Sequence, residues 1–83
     1  MTISAEISYY PLKEHFLGPI QNFIDRLQAY EELFVRPNGM STHVIGDYDR
    51  VMDALSKEMK TSFKDPHSVF ALKILKGDMR EVE

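Results

Sequence analysis

Eighty-three residues with a net charge of −3 and no cysteine are enough for one small domain and exclude a disulfide framework or a cysteine-based metal site. Hydrophobic residues make up 43% and charged residues 28%, so the chain is expected to fold. The scattered lysines and arginines give no basic footprint for nucleic acid, and no run approaches the ~20 apolar residues of a membrane span. The start, "MTISAEIS", lacks a basic n-region, so no signal peptide is expected and a cytoplasmic location is the default.

In "TISAEISYYPL", Ile3, Ala5, Ile7 and Tyr9 alternate with Thr2, Ser4, Glu6, Ser8 and Tyr10. This period of two marks a strand with one face on a core, and Pro11 ends it. The period then changes. Phe16, Ile20, Phe23, Ile24 and Leu27 share one helical stripe, predicting a helix from about Phe16 or Leu17 to Ala29, with Pro19 in its first turn. "EELFVRPNG" reads as a short second strand running into a turn, and "MSTHVI" as the strand that returns. Asp47 is placed to cap a second helix, its carboxylate accepting from free backbone N–H groups. Tyr48, Val51, Met52, Leu55, Met59 and Phe63 form that helix's apolar stripe, and Asp65-Pro66 breaks it. "SVFALKIL" is the last strand, with Phe70, Leu72 and Ile74 on one face; residues 78–83 read as a charged tail beyond a domain of residues 1–77.

The order strand, helix, strand, strand, helix, strand, with right-handed crossovers, predicts an α+β ferredoxin-like βαββαβ sandwich. Both helices then cover one sheet face, and the first and third strands are central neighbours. The helix-free face would carry Glu6, Ser8, Ser41, His43 and Lys73, ringed by Tyr10, Ile45, Val69 and Ala71. That mixture is too apolar to be simply solvated and too polar to be core. Buried polar groups need partners, so a second copy or a ligand is the expected cover. No nucleophile–base spacing, phosphate loop or metal-ligand cluster stands out, so neither an enzyme nor a cofactor is expected.

The segments "SAEISYYPL", "FIDRL", "GMSTHVIGDYDRVMDAL" and "FALKI" resemble the YkoF-like thiamine/hydroxymethylpyrimidine-binding proteins. The likeness spans about residues 2–76 and is sharpest from Ser41 to Leu55. It implies a ferredoxin-like domain that assembles through its sheets, as a homodimer or a dimer of dimers. It also implies non-catalytic binding of thiamine or its pyrimidine moiety. Such a ligand presents a cation and an aminopyrimidine edge. Glu6 would offset the cation or accept from the amino group. Ser41, Thr42 and His43 would read the ring edge, and Tyr10 would stack. The alternative is a structural interaction module whose polar sheet face is interface chemistry, with no ligand.

Overall fold

The structure, a computed structural model, describes residues 1–80. Its elements run β1 (Thr2–Tyr10), α1 (Leu17–Gln28), β2 (Phe34–Pro37), β3 (Thr42–Asp47), α2 (Tyr48–Ser62) and β4 (Val69–Lys76). The four strands make one antiparallel sheet in the order β2-β3-β1-β4, and the fold is the ferredoxin-like sandwich.

The alternation along β1 places Ile3, Ala5, Ile7 and Tyr9 against the helices, where all four are buried. From α1 they meet Phe23 and Leu27, and from α2 Val51, Ala54 and Leu55. Burying such side chains is worth about 1.5–3 kcal/mol each and supplies most of the stability of a small domain. The upper end of the core is aromatic. Tyr9 stacks on Phe70 with ring centroids 4.3 Å apart, and Phe23 packs against both rings. The Ser68 hydroxyl faces the Ser62 and Asp65 carbonyls, so its proton goes to one of them and the Tyr9 hydroxyl donates to it at 3.1 Å.

Three local readings shift. Asp47 occupies the cap position of α2, but its carboxylate makes no capping hydrogen bond. The main chain takes that role in part: the Tyr48 N–H donates to the Met1 carbonyl at 2.8 Å, because β3 delivers the helix start beside the start of β1. The strand β3 begins two residues later than the hydrophobic pattern suggests. The Asn38 side chain accepts from the Met40 and Ser41 N–H groups at 2.8 and 3.0 Å and holds both in the turn. Tyr48 and Phe63, at the two ends of the α2 stripe, stay largely exposed, while Ala54 is fully buried.

The two helices are joined by a polar clamp. The Arg26 Nε donates to Glu58 Oε1 at 2.7 Å, its Nη2 donates to the Ser62 hydroxyl at 2.6 Å, and the Tyr30 hydroxyl donates to Glu58 Oε2 at 2.7 Å. With the helices held to one side, the opposite face of the sheet is left to the residues that do not serve the core.

Candidate functional site

Register decides what meets on that face. Glu6 at the middle of β1 lies directly opposite His43 on β3 and Lys73 on β4. Directly opposite residues share a face with Cβ atoms about 5 Å apart, so one carboxylate sits between an imidazole and an ammonium group. Ser41, fixed by the Asn38 turn, donates its hydroxyl to Glu6 Oε2 at 3.2 Å, and His43 Nε2 lies 3.3 Å from the same oxygen. Lys73 Nζ is a looser 3.8 Å from Oε1, on a side chain that is mostly solvated. One carboxylate oxygen is therefore committed to the protein and the other is nearly free.

These contacts lower the Glu6 carboxyl below its ordinary value. The hydrogen bond with His43 is the largest cause and that from Ser41 the next; the Lys73 charge adds to them, and partial burial opposes them. A depressed folded-state value means the carboxylate's contribution to stability is present above about pH 4.5, the unfolded value. It is lost as pH falls through the folded value.

Beside Glu6 is a hollow of about 210 Å³ lined by Ser4, His43, Ile45, Lys73, Leu75 and Met79. Ile45 is buried although it lies on the helix-free face. The reason is the segment after β4. Gly77 adopts φ +121°, a conformation that strongly favours glycine, and turns the chain back over the sheet. The buried Ser4 hydroxyl donates to the Gly77 carbonyl at 2.7 Å and accepts from the Met79 N–H at 2.9 Å. Met79 then hangs over the hollow, and the Arg80 guanidinium lies 4.9 Å from the ring centroid of Phe34 on β2. The segment that reads as a loose charged tail is, through residue 80, a strap that crosses β1 and β3 on the chain's own sheet. Residues 81–83 lie outside the described residues.

Ser4→Ala is expected to leave the Gly77 carbonyl and the Met79 N–H without their partner. The cost is about 1–2 kcal/mol, read as a lower urea midpoint with the m-value unchanged. Amide exchange at Met79 and Arg80 should speed up, while the rest of the sheet stays protected.

Of the residues singled out from the sequence, Glu6, Ser41 and His43 are brought together. Thr42 is not. It pairs with Ile7 on the helix side of the sheet and is 5% exposed. Tyr10 is on the helix-free face but four residues along β1 from Glu6, about 13 Å by strand rise, and half exposed beside Val69. Ser4, Leu75 and Met79 line the hollow without having been singled out; Gly77, and the apolar Met79 between Asp78 and Arg80, are the signal the sequence offers for the last of them.

The sequence matches no protein-family model and no curated protein. Among solved structures, one from Streptococcus pneumoniae is 20% identical with a TM-score of 0.87, covering 99% of this chain and 93% of that one. A Thermotoga maritima protein provisionally named for thiamine biosynthesis or salvage is 16% identical with a TM-score of 0.83, covering 93% of this chain and 85% of that one. A hypothetical protein from Methanocaldococcus jannascii is 29% identical with a TM-score of 0.79, covering 93% and 81%. The chain shares its fold with these proteins. Among the described residues no helix is long and apolar enough to cross a membrane, and no three His, Asp or Glu side chains cluster as metal ligands.

Proposed function

We propose that this domain binds thiamine or its hydroxymethylpyrimidine moiety in the hollow beside Glu6, without catalysis and as a homo-oligomer. The observation that carries the reading is the Glu6 carboxylate. One oxygen is locked by Ser41 and His43, and the other is open to an incoming donor or cation. An exocyclic amino group would donate to Oε1 and displace the loosely held Lys73. Ile45, Leu75 and Met79 would contact the faces of a flat ring, where the methionine sulfur suits an aromatic partner. A thiamine-related name on one protein of the same fold supports this choice of ligand over other amino-heterocycles. The hollow is smaller than the ~300–1,000 Å³ of sites that enclose a drug-sized ligand, so it suits one ring rather than the whole of thiamine.

Calorimetry and thermal shift with thiamine and with hydroxymethylpyrimidine test this. Ligand at 100 times its Kd should stabilise the fold by about 2.7 kcal/mol. Glu6→Gln keeps the shape, removes the charge, and should weaken binding roughly ten- to a hundredfold, the range for a lost charged hydrogen bond. Affinity of the wild type should also fall in acid as Glu6 protonates, and the Gln variant should not share that fall. Absence of heat and of any melting shift at millimolar ligand would refute the reading.

A second reading, a structural module without ligand, is favoured by the exposed Tyr10 and Val69 on the unstrapped half of the same face. It expects Glu6→Gln and His43→Ala to alter sedimentation rather than ligand affinity.

A further inference from the structure

The hollow beside Glu6 has two unlike ends. Its polar row is His43, Glu6 and Lys73, side by side on β3, β1 and β4. Two residues back along β1, about 7 Å by strand rise, the next row on the same face is Ile45, Ser4 and Leu75. The strap crosses there, beside Ser4. In the other direction the face runs on to Ser8 and Ala71, and Ala71 is exposed.

The strap is fixed at three points. The Gly77 N–H donates to the Thr2 carbonyl at 2.9 Å. The Ser4 hydroxyl holds both the Gly77 carbonyl and the Met79 N–H. Arg80 lies against Phe34 and donates its Nε to the Asp78 carboxylate at 3.0 Å. Between these anchors the Met79 side chain is seated. Its terminal methyl packs toward Gly77, 3.3 Å from where a β-carbon on that residue would lie. Met79 therefore closes one end of the hollow as a wall, while the end toward Ala71 stays open.

For a ligand of the kind proposed above, on which this inference rests, ring geometry restricts the orientation. An aminopyrimidine that donates its amino group to Glu6 Oε1 carries its hydroxymethyl group on the adjacent ring carbon. In thiamine that carbon carries the link to the second ring. This substituent points back beside Glu6, toward the open part of the face. The methyl group is on the carbon between the two ring nitrogens and points forward, toward Ile45, Leu75 and Met79. Turning the ring over about the amino group exchanges its sides but not its front and back.

We propose that Met79, held in place by Ser4 and Arg80, sets the size of this forward substituent, so that a methyl is accepted and a longer chain is not. The Ser4 hydroxyl has its proton on the Gly77 carbonyl, and its neighbours in the row are apolar, so the wall suits an alkyl group rather than a polar one. Met79 is the specificity-determining residue; Ser4 and Arg80 are positioning residues.

Two probes decide, titrated calorimetrically into the full chain: hydroxymethylpyrimidine, and the same molecule with propyl in place of the ring methyl. The wild type should bind the methyl form at least about tenfold more tightly, the usual effect of a surplus methylene in a closed apolar pocket. Met79→Ala shortens the wall and should bring the ratio of affinities close to one, chiefly by tightening the propyl form. Arg80→Ala frees the strap at Phe34 and should lower the ratio part of the way. Glu6→Gln should weaken both forms alike and leave the ratio as it was. Met79 is 37% exposed, so Met79→Ala should keep the circular dichroism of the wild type. If it does not fold, Arg80→Ala decides by the same ratio. A wild type that binds both forms equally, or a ratio untouched by these strap variants, would overturn the inference and leave the ligand reading standing. Binding of neither form to the wild type would overturn both.

Discussion

Phe23→Ala is expected to destabilise the protein by about 3–5 kcal/mol, the usual cost of deleting a buried phenylalanine. Phe23 is 1% exposed and lies 5.6 Å from the Tyr9 ring and 5.1 Å from the Phe70 ring, so no neighbour can close the space without leaving the other. A domain of this length has roughly 4–12 kcal/mol of stability in total, so the variant should be marginal or unfolded at 37 °C. Phe63→Ala is the control. Phe63 touches the same cluster edge-on to Phe70, but it is 55% exposed and its loss should cost no more than about 1 kcal/mol. Urea unfolding of both variants, with m-values compared, checks the contrast. Equal losses would mean that the aromatic cluster does not anchor α1 to the sheet.

The second large effect is in the clamp between the helices. Glu58 accepts from Arg26 and Tyr30 and is itself mostly buried. Glu58→Ala should cost about 3 kcal/mol, because it leaves a partly buried guanidinium and a phenol without their acceptor. Glu58→Gln keeps an acceptor and should cost less. The clamp also has a pH signature. The hydrogen bond to Glu58, then burial and the nearby carboxylate charges, push the Tyr30 hydroxyl up to about 12 from 10.0. A raised folded value means the stabilisation is complete below the unfolded value near 10 and is lost as pH rises toward 12. Wild-type stability should therefore fall across that window more steeply than that of Tyr30→Phe. Parallel pH profiles for the two chains would place the alkaline loss elsewhere.

Both effects rest on features that differ in how far the sequence announces them. The stripe of Phe23, Ile24 and Leu27 names its own core face. The Arg26–Glu58 clamp is invisible, because its partners are 32 residues apart and no local period connects them. The candidate site divides in the same way. Glu6 and His43 could be placed on one face from alternation, because β1 and β3 each obey a period of two. That Glu6 faces His43 and Lys73 directly is a matter of register, set by how the β2–β3 turn and the crossover helices seat the strands. Thr42 shows the limit of a resemblance. Alternation already sets it on the helix side with Val44, against its place among the ring-edge contacts, and the structure buries it there opposite Ile7.

By itself the order of residues determined the six elements, their sequence along the chain and the side of each that seeks the core, because local periodicity and punctuation by Pro, Gly and Asp act within a few residues. Only the tertiary structure decided that Asp47 leaves capping to the backbone, that residues 77–80 strap the helix-free face, and that a single carboxylate there is shared by side chains from three parts of the chain. Those outcomes depend on contacts between segments up to 75 residues apart, whose energies are settled only when the sheet closes.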